Sequence, residues 1–406
     1  MTLLTKEKMM LQAYKGSDKI AVYCYVYIAC LSELALSHSD TTLYPEWFRH
    51  LYLYSIFIAL LLALVIVFTR KLKDTSSFLI PAIYFSFITL YSNFDISINS
   101  FFDAVYSTFR IMGFLLMMPL GKIRIYECFK YFIVFMCACG IFVYISHILH
   151  LPVPHSEIPY YTDSVFASYI DYKIGILFSE LGAIRLCGLF NEPGAFGTFL
   201  ALILCIEDFD LKKRENVIMA LAGLLSFSVA FFIISLLYLI MKMRKDKRLL
   251  VPLTILLIFI VFILPNLEFS NPILQAFTNR LKFDDGAFVA DTRSSDFVDE
   301  KFSDMLYGDH LFWGFKGKYL VSIDYENTTS TFKVPFIEYG MIGFFVIYGI
   351  LLINALKRTK GISTAIMFVL CFAFSVYQRP YIYTLTYFVI LYGGIEYIKR
   401  RDLVVI

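Results

Sequence analysis

Apolar blocks of about bilayer-spanning length recur along this chain, near 19–37, 51–69, 77–93, 101–120, 131–150, 186–206, 249–265, 333–356, 362–378 and 385–398. A bilayer core takes about 17–25 helical residues, and in hydrocarbon every backbone polar group must find its partner inside the protein. These blocks constrain the fold more than any motif does, and the fold class expected is an all-α, polytopic integral membrane protein. Composition agrees: 59% of the 406 residues are hydrophobic and 17% charged. The formal net charge of +3 is small and dispersed, which argues against nucleic acid as a partner.

The block 217–241 decides the topology. Two thirds of the 36 lysines and arginines fall in short clusters: Lys6–Lys19, Arg70–Lys73, Lys122–Lys130, Lys212–Arg214, Lys242–Arg248, Lys357–Lys360 and Lys399–Arg401. Such clusters belong on the cytoplasmic side. A single helix over 217–241 would put Lys212–Arg214 and Lys242–Arg248 on opposite sides, whereas a short hairpin broken at Ser226-Phe227-Ser228 puts both inside. The hairpin gives about twelve transmembrane helices with both termini cytoplasmic. The first apolar block has no small-residue cleavage signal after it and reads as a retained span.

In this orientation the polar segment 267–332 lies on the outer face, with smaller outer loops at 38–50, 151–184 and 379–384. Its aromatic residues, among them Phe297, Phe302, Tyr307, Phe312 and Trp313, predict amphipathic helices on the outer interface. The expected organisation is one integral membrane domain over 1–406, with 267–332 inserted as an outer cap.

No metal and no cofactor is expected. The eight cysteines lie in apolar spans or in one short basic loop, and Cys137-Ala138-Cys139 lacks the second ligand pair of a zinc site. Asp208-Phe209-Asp210 resembles the acidic pair of many nucleotide-sugar transferases, but it stands in a very short loop with no domain around it. A phosphate-binding glycine loop is also missing, so any group transfer must draw on a donor already energised in the membrane.

The stretch "RLCGLFNEPGAFGTFLAL", 185–202, sets Arg185 at the outer end of the sixth expected span and Glu192-Pro193-Gly194 about two helical turns deeper. An intramembrane carboxylate beside a proline and glycines points to a wet cavity; the other reading is a kinked packing helix with a snorkelling arginine. Arg110 lies in the fourth span with Asp103 on the same helical face, which suits either a cavity or an internal ion pair. Arg280 and Arg293 stand in the outer segment, and Arg379 in the short outer turn "YQRPY". Converging arginines would make a cationic pocket suited to a diphosphate, because the planar guanidinium binds phosphate oxygens two at a time.

These residues resemble a known family. "RLCGLFNEPGAFGTFLAL", "LFWGFKGKY" after Arg293, and "FIEYGMIGFF" with its Glu-x-Gly-x-x-Gly pattern are similar to segments of the lipid-linked O-antigen polymerases, which share a superfamily with the O-antigen ligases. The layout matches along nearly the whole chain. In ligases a histidine and a small polar residue shortly precede the Gly-x-x-Gly; here Thr329-Ser330 stand at that spacing, which favours polymerase and leaves the general base unassigned.

The resemblance implies an enzyme of the bacterial inner membrane that joins polyprenyl-diphosphate-linked oligosaccharides, donor and acceptor alike, at the outer face without nucleotide or metal. Its partners would be those lipid-linked sugars, the bilayer, and a regulator of chain length. It assigns Arg185, Arg293 and either Arg280 or Arg379 to the diphosphates, Arg110 to substrate binding, and Glu192 or Glu338 to base or orienting duty. A ligase, or a flippase for the same lipid-linked sugar, are the competing expectations.

Overall fold

The computed structural model describes residues 119–162, 165–180, 183–190, 192–243, 295–315, 319–323, 331–380 and 384–404, with short pieces at 80–117 and 266–288 and residue 382. Most of the expected spans before residue 119 and the span at 249–265 lie outside the described residues, as do Arg110, Arg280 and Arg293.

The described chain is mostly helical. Helix α1 (Pro119–Ile148) leads into a four-stranded sheet, β1 (Ser156–Thr162), β2 (Val165–Asp171), β3 (Ile176–Glu180) and β4 (Ala183–Gly188). Then come α2 (Pro193–Ile206), α3 (Arg214–Leu225) and α4 (Val229–Met243). Beyond them lie α5 (Asp296–Tyr307), α6 (Tyr319–Ile323), α7 (Lys333–Thr359) and α8 (Ser363–Gln378). Helix α9 (Leu385–Phe388) runs through a π-helical turn, Val389–Gly393, into α10 (Gly394–Val404). Two of these helices, α1 and α7, are long and apolar enough to cross a membrane.

The sheet corrects the all-α expectation. The strands form an antiparallel meander in chain order. The pairs Thr162–Val165 and Glu180–Ala183 leave two residues between strands, the spacing of tight hairpins. β-Branched and aromatic residues make up much of β1 and β2, and Asp171 closes the β2–β3 turn by accepting the Lys173 N–H at 2.7 Å. The sheet packs on the far end of α1: Leu186 lies against Gly140, the Tyr144 hydroxyl donates to the Ile184 carbonyl at 3.5 Å, and His147 Nδ1 is 2.9 Å from the Tyr172 hydroxyl.

Two further boundaries differ from the sequence expectation. Lys122–Lys130 is part of α1 and not a loop, because buried apolar residues at Ile125, Phe129, Ile133 and Met136 carry the helical period through it. The expected span 186–206 is half strand and half helix. Gly188 turns with φ +65°, and Pro193, which lacks an N–H and presets φ, opens a helix instead of interrupting one.

Helix α2 is the axis of the bundle. Every residue from Pro193 to Ile206 is buried, as expected for a helix that is apolar on all sides. At 14 residues it is about 21 Å long, too short to cross a bilayer core alone. Helices α3, α4 and α8 and strand β4 surround it.

The hairpin over 217–241 is present. Helix α3 ends at Leu225 and α4 begins at Val229. The turn lies at the N-terminal end of α2, where the Ser228 hydroxyl donates to the Gly194 carbonyl at 3.4 Å. The open ends of the hairpin meet the other end of α2: Lys213 pairs with Glu207 at 2.7 Å and Lys242 with Asp208 at 3.1 Å. Lys130 and Arg401 arrive there too, on Glu207 at 3.0 Å and on the Ile206 carbonyl at 2.7 Å. Basic clusters far apart in sequence thus collect at one end of the bundle, and the sheet lies at the other.

Candidate functional site

The sheet end of α2 holds the charged residues singled out from the sequence. Glu192 occupies the position before the helix in extended conformation (φ −144°, ψ 142°), and its carboxylate makes no hydrogen bond to the helix's own N–H groups. It reaches instead to Arg379, which follows the last residue of α8. Arg379 Nη1 donates to Glu192 Oε1 at 3.2 Å, and Nη2 donates closely to Oε2, so the guanidinium grips both oxygens. The arginine side chain is 12% exposed and the glutamate side chain 45% exposed. A negative charge at this position also favours the α2 macrodipole by ~0.3–1 kcal/mol.

Arg185 approaches the same end from β4, opposite Phe178. Its Nε donates to the Ser226 carbonyl at 3.2 Å and Nη2 to the Phe227 carbonyl at 3.3 Å. Ser226 follows the last residue of α3, so Arg185 places a cation where that helix leaves carbonyls without intrahelical partners. The turn it clamps is sharp: Phe227 takes φ +45°. Below the turn, Gly197 of α2 allows Ser226 and Ser228 to come close, since a Cβ there would lie 3.0 Å and 2.7 Å from their hydroxyl oxygens.

Arg185 therefore does not sit at the mouth of a helix with Glu192 two turns deeper, as the spacing predicts. A strand carries one and a helix start carries the other.

Glu338 lies on α7, 6% exposed. Helix α7 flanks the Arg379 turn: the Phe332 N–H donates to the Tyr377 carbonyl at 3.3 Å and the Tyr348 hydroxyl to the Pro380 carbonyl at 2.7 Å. Gly340 interrupts α7 with φ 66° and ψ −177°, a conformation open essentially to glycine alone. The segment 310–315 fills the gap. Met341 donates to the Leu311 carbonyl at 2.9 Å, Ile342 to the Phe312 carbonyl at 3.2 Å, and Phe315 to the Ile337 carbonyl at 2.9 Å. Two motifs that were separate in the sequence, "LFWGF" and "IEYGMIG", are thus one backbone clasp. Helix α5 packs Val298 on Val334 and Ile337 beside it, and Lys333 pairs with Asp299 at 2.6 Å.

At the other end of α2, Glu207 is wholly buried and held by Lys130, Lys213 and the Tyr397 hydroxyl, the last at 3.3 Å. Burial pushes its carboxyl up, but the Lys213 hydrogen bond and the Lys130 charge outweigh that and leave it below the ordinary carboxylate range. Asp208 accepts from the Tyr238 hydroxyl at 2.8 Å besides its pair with Lys242. Among the described residues no group of His, Cys, Asp and Glu is arranged to hold a metal ion.

The structure thus brings Arg185, Glu192 and Arg379 to one end of α2 and puts Glu338 on the helix beside Arg379. Sequence reasoning missed the turn carbonyls of Ser226 and Phe227 as the partners of Arg185. It also missed Glu207, which reads from sequence only as one acid beside a basic loop. Comparison with protein-family models, curated proteins and solved structures finds no match to this chain.

Proposed function

We propose that this protein is a membrane glycosyltransferase that polymerises polyprenyl-diphosphate-linked oligosaccharide repeat units into a surface polysaccharide such as O-antigen. The reading takes the chain as an inner-membrane protein of about twelve spans, with both termini and the Glu207 end of α2 cytoplasmic and the sheet end and 267–332 outside. The observation that carries it is the meeting of Arg185, Glu192 and Arg379 at the end of α2 away from the basic clusters. An outer site with arginines and carboxylates suits a donor whose leaving group is a diphosphate.

In this reaction an acceptor hydroxyl attacks the anomeric carbon of the donor sugar. The bond from that carbon to the diphosphate oxygen breaks, its electron pair leaves on the diphosphate, and the hydroxyl proton passes to a carboxylate. Arg379, with Arg293 or Arg280 from the outer segment, stabilises the charge that develops on the leaving group. Arg185 holds the turn over the start of α2, and Glu192 or Glu338 accepts the proton. Arg110 is assigned to substrate binding.

The test is a gel of surface polysaccharide from a strain deleted for this gene, beside the complemented strain. Core plus a single repeat unit, with the long ladder restored on complementation, supports polymerisation. Bare core with long polymer held on the polyprenyl carrier would show a ligase, and bare core with single lipid-linked units trapped at the cytoplasmic face would show a flippase.

A further inference from the structure

Resting on the polymerase reading, we infer that Glu192 is a placeholder for the donor diphosphate on Arg379, and that exchange of one for the other couples substrate binding to release of the general base.

The asymmetry of the pair points this way. The Arg379 side chain is enclosed, 12% exposed, and its backbone N–H is tied to the Ser375 carbonyl at 2.9 Å. Glu192 is 45% exposed and its carboxylate bonds none of the α2 N–H groups. The glutamate is the more accessible partner of the pair, so a ligand arriving from solvent meets it first. A carboxylate and a phosphate both offer two oxygens to the guanidinium fork, so a diphosphate can take over the same donors without rebuilding the site. Pro193 keeps the Glu192 backbone extended, so the exchange is a movement of the glutamate side chain on a fixed backbone.

The exchange would serve three steps. Before the donor binds, Glu192 balances charge on a guanidinium that is mostly out of water. When the diphosphate arrives, the displaced carboxylate is released beside the donor and takes the acceptor hydroxyl proton as the new glycosidic bond forms and the bond to the diphosphate breaks. After transfer, Glu192 loses that proton to water, regains its charge, and competes the spent polyprenyl diphosphate off Arg379.

Wild type, Glu192→Gln, Glu192→Asp and Arg379→Ala proteins in nanodiscs, titrated with a polyprenyl diphosphate and with the corresponding polyprenol, test this. Removing the competitor should make Glu192→Gln bind the diphosphate about five-fold tighter than wild type. The same variant should polymerise at least about a hundredfold more slowly. Arg379→Ala should bind more weakly. Glu192→Asp, which keeps the charge but shortens its reach, should bind tighter than wild type by a smaller factor, and it carries the test if the glutamine variant does not reach the membrane. Diphosphate binding by Glu192→Gln or Glu192→Asp that equals or falls below wild type, with Arg379→Ala still impaired, would leave the diphosphate site standing and refute the placeholder. Wild-type protein that binds the diphosphate no better than the polyprenol would refute both.

Discussion

Glu192 and Glu207 stand at opposite ends of one buried 14-residue helix, and each is held by a cation from a distant segment, Arg379 and Lys130. Their situations are not equivalent. Glu192 lies at the favourable pole of the helix dipole, is half open to solvent and pairs with Arg379. Glu207 lies at the unfavourable pole, is fully enclosed and has two lysines and a tyrosine. The first arrangement can open; the second fixes the helix in place.

Lys130→Met should therefore be costly. It leaves the buried Glu207 with half its compensation, and breaking such a pair costs about 3–5 kcal/mol. Lower melting temperature of the purified protein, largely recovered in the Lys130→Met/Glu207→Gln double variant, is the expected result.

Acid should weaken the same junction. The Glu207 carboxyl is held below its ordinary range in the folded protein, so its contribution is fully present above the unfolded-state pKa and is lost as pH falls through the lower folded-state value. Melting temperature of wild type should drop across the acidic range below about pH 4.5, and the drop should be shallower in Glu207→Gln.

Gly314→Ala and Gly340→Ala should each disrupt the clasp. A Cβ on Gly314 would lie 2.5 Å from the Gly340 nitrogen and the Ile337 carbonyl oxygen, and Gly340 holds a glycine-only conformation. A loss of about 2 kcal/mol or more, with loss of polymer, is expected from the strain alone. Gly349→Ala, with nothing within 4 Å, should be neutral or stabilising by up to about 1 kcal/mol. Thermal melts of the three variants give the comparison.

Arg185→Lys should behave nearly like Arg185→Ala. Two donors of a rigid fork hold two successive carbonyls, and a lysine supplies a point charge that cannot span them in the same way. Both variants should reach the membrane with shortened polysaccharide ladders; a full-length ladder from either would remove Arg185 from the site.

Orientation has its own check. Tyr307, 91% exposed at the end of α5, and Lys212, exposed between α2 and α3, belong to opposite sides in the proposed topology. Tyr307→Cys should react with an impermeant maleimide applied from outside, and Lys212→Cys only after the inner membrane is permeabilised.

Much of this architecture was legible in residue type. The hairpin at Ser226-Phe227-Ser228 followed from the need to put two basic clusters on one side, and α3 and α4 with their lysines on Glu207 and Asp208 meet that need. The apolar blocks at 333–356, 362–378 and 385–398 correspond to α7, α8 and α9–α10. The sheet is hard to read because 151–184 lacks a spanning block and its signal is confined to short hairpin spacings. Arg185 and Glu192 fall in one apolar run, and composition alone does not separate the strand from the helix within it. The pairing of Glu192 with Arg379 could not be read from spacing at all, since it depends on α8 ending beside the start of α2.

That pairing joins residues 187 positions apart, with helices α2 to α8 between them. The sheet, in contrast, pairs only neighbours in the chain. During synthesis the meander can close as soon as its own strands have emerged, while the charged mouth waits for a segment made far later. A chain halted before Arg379 would carry the sheet and the central helix yet lack the guanidinium that pairs with Glu192, so this charged contact would form among the last of the protein's assembly steps.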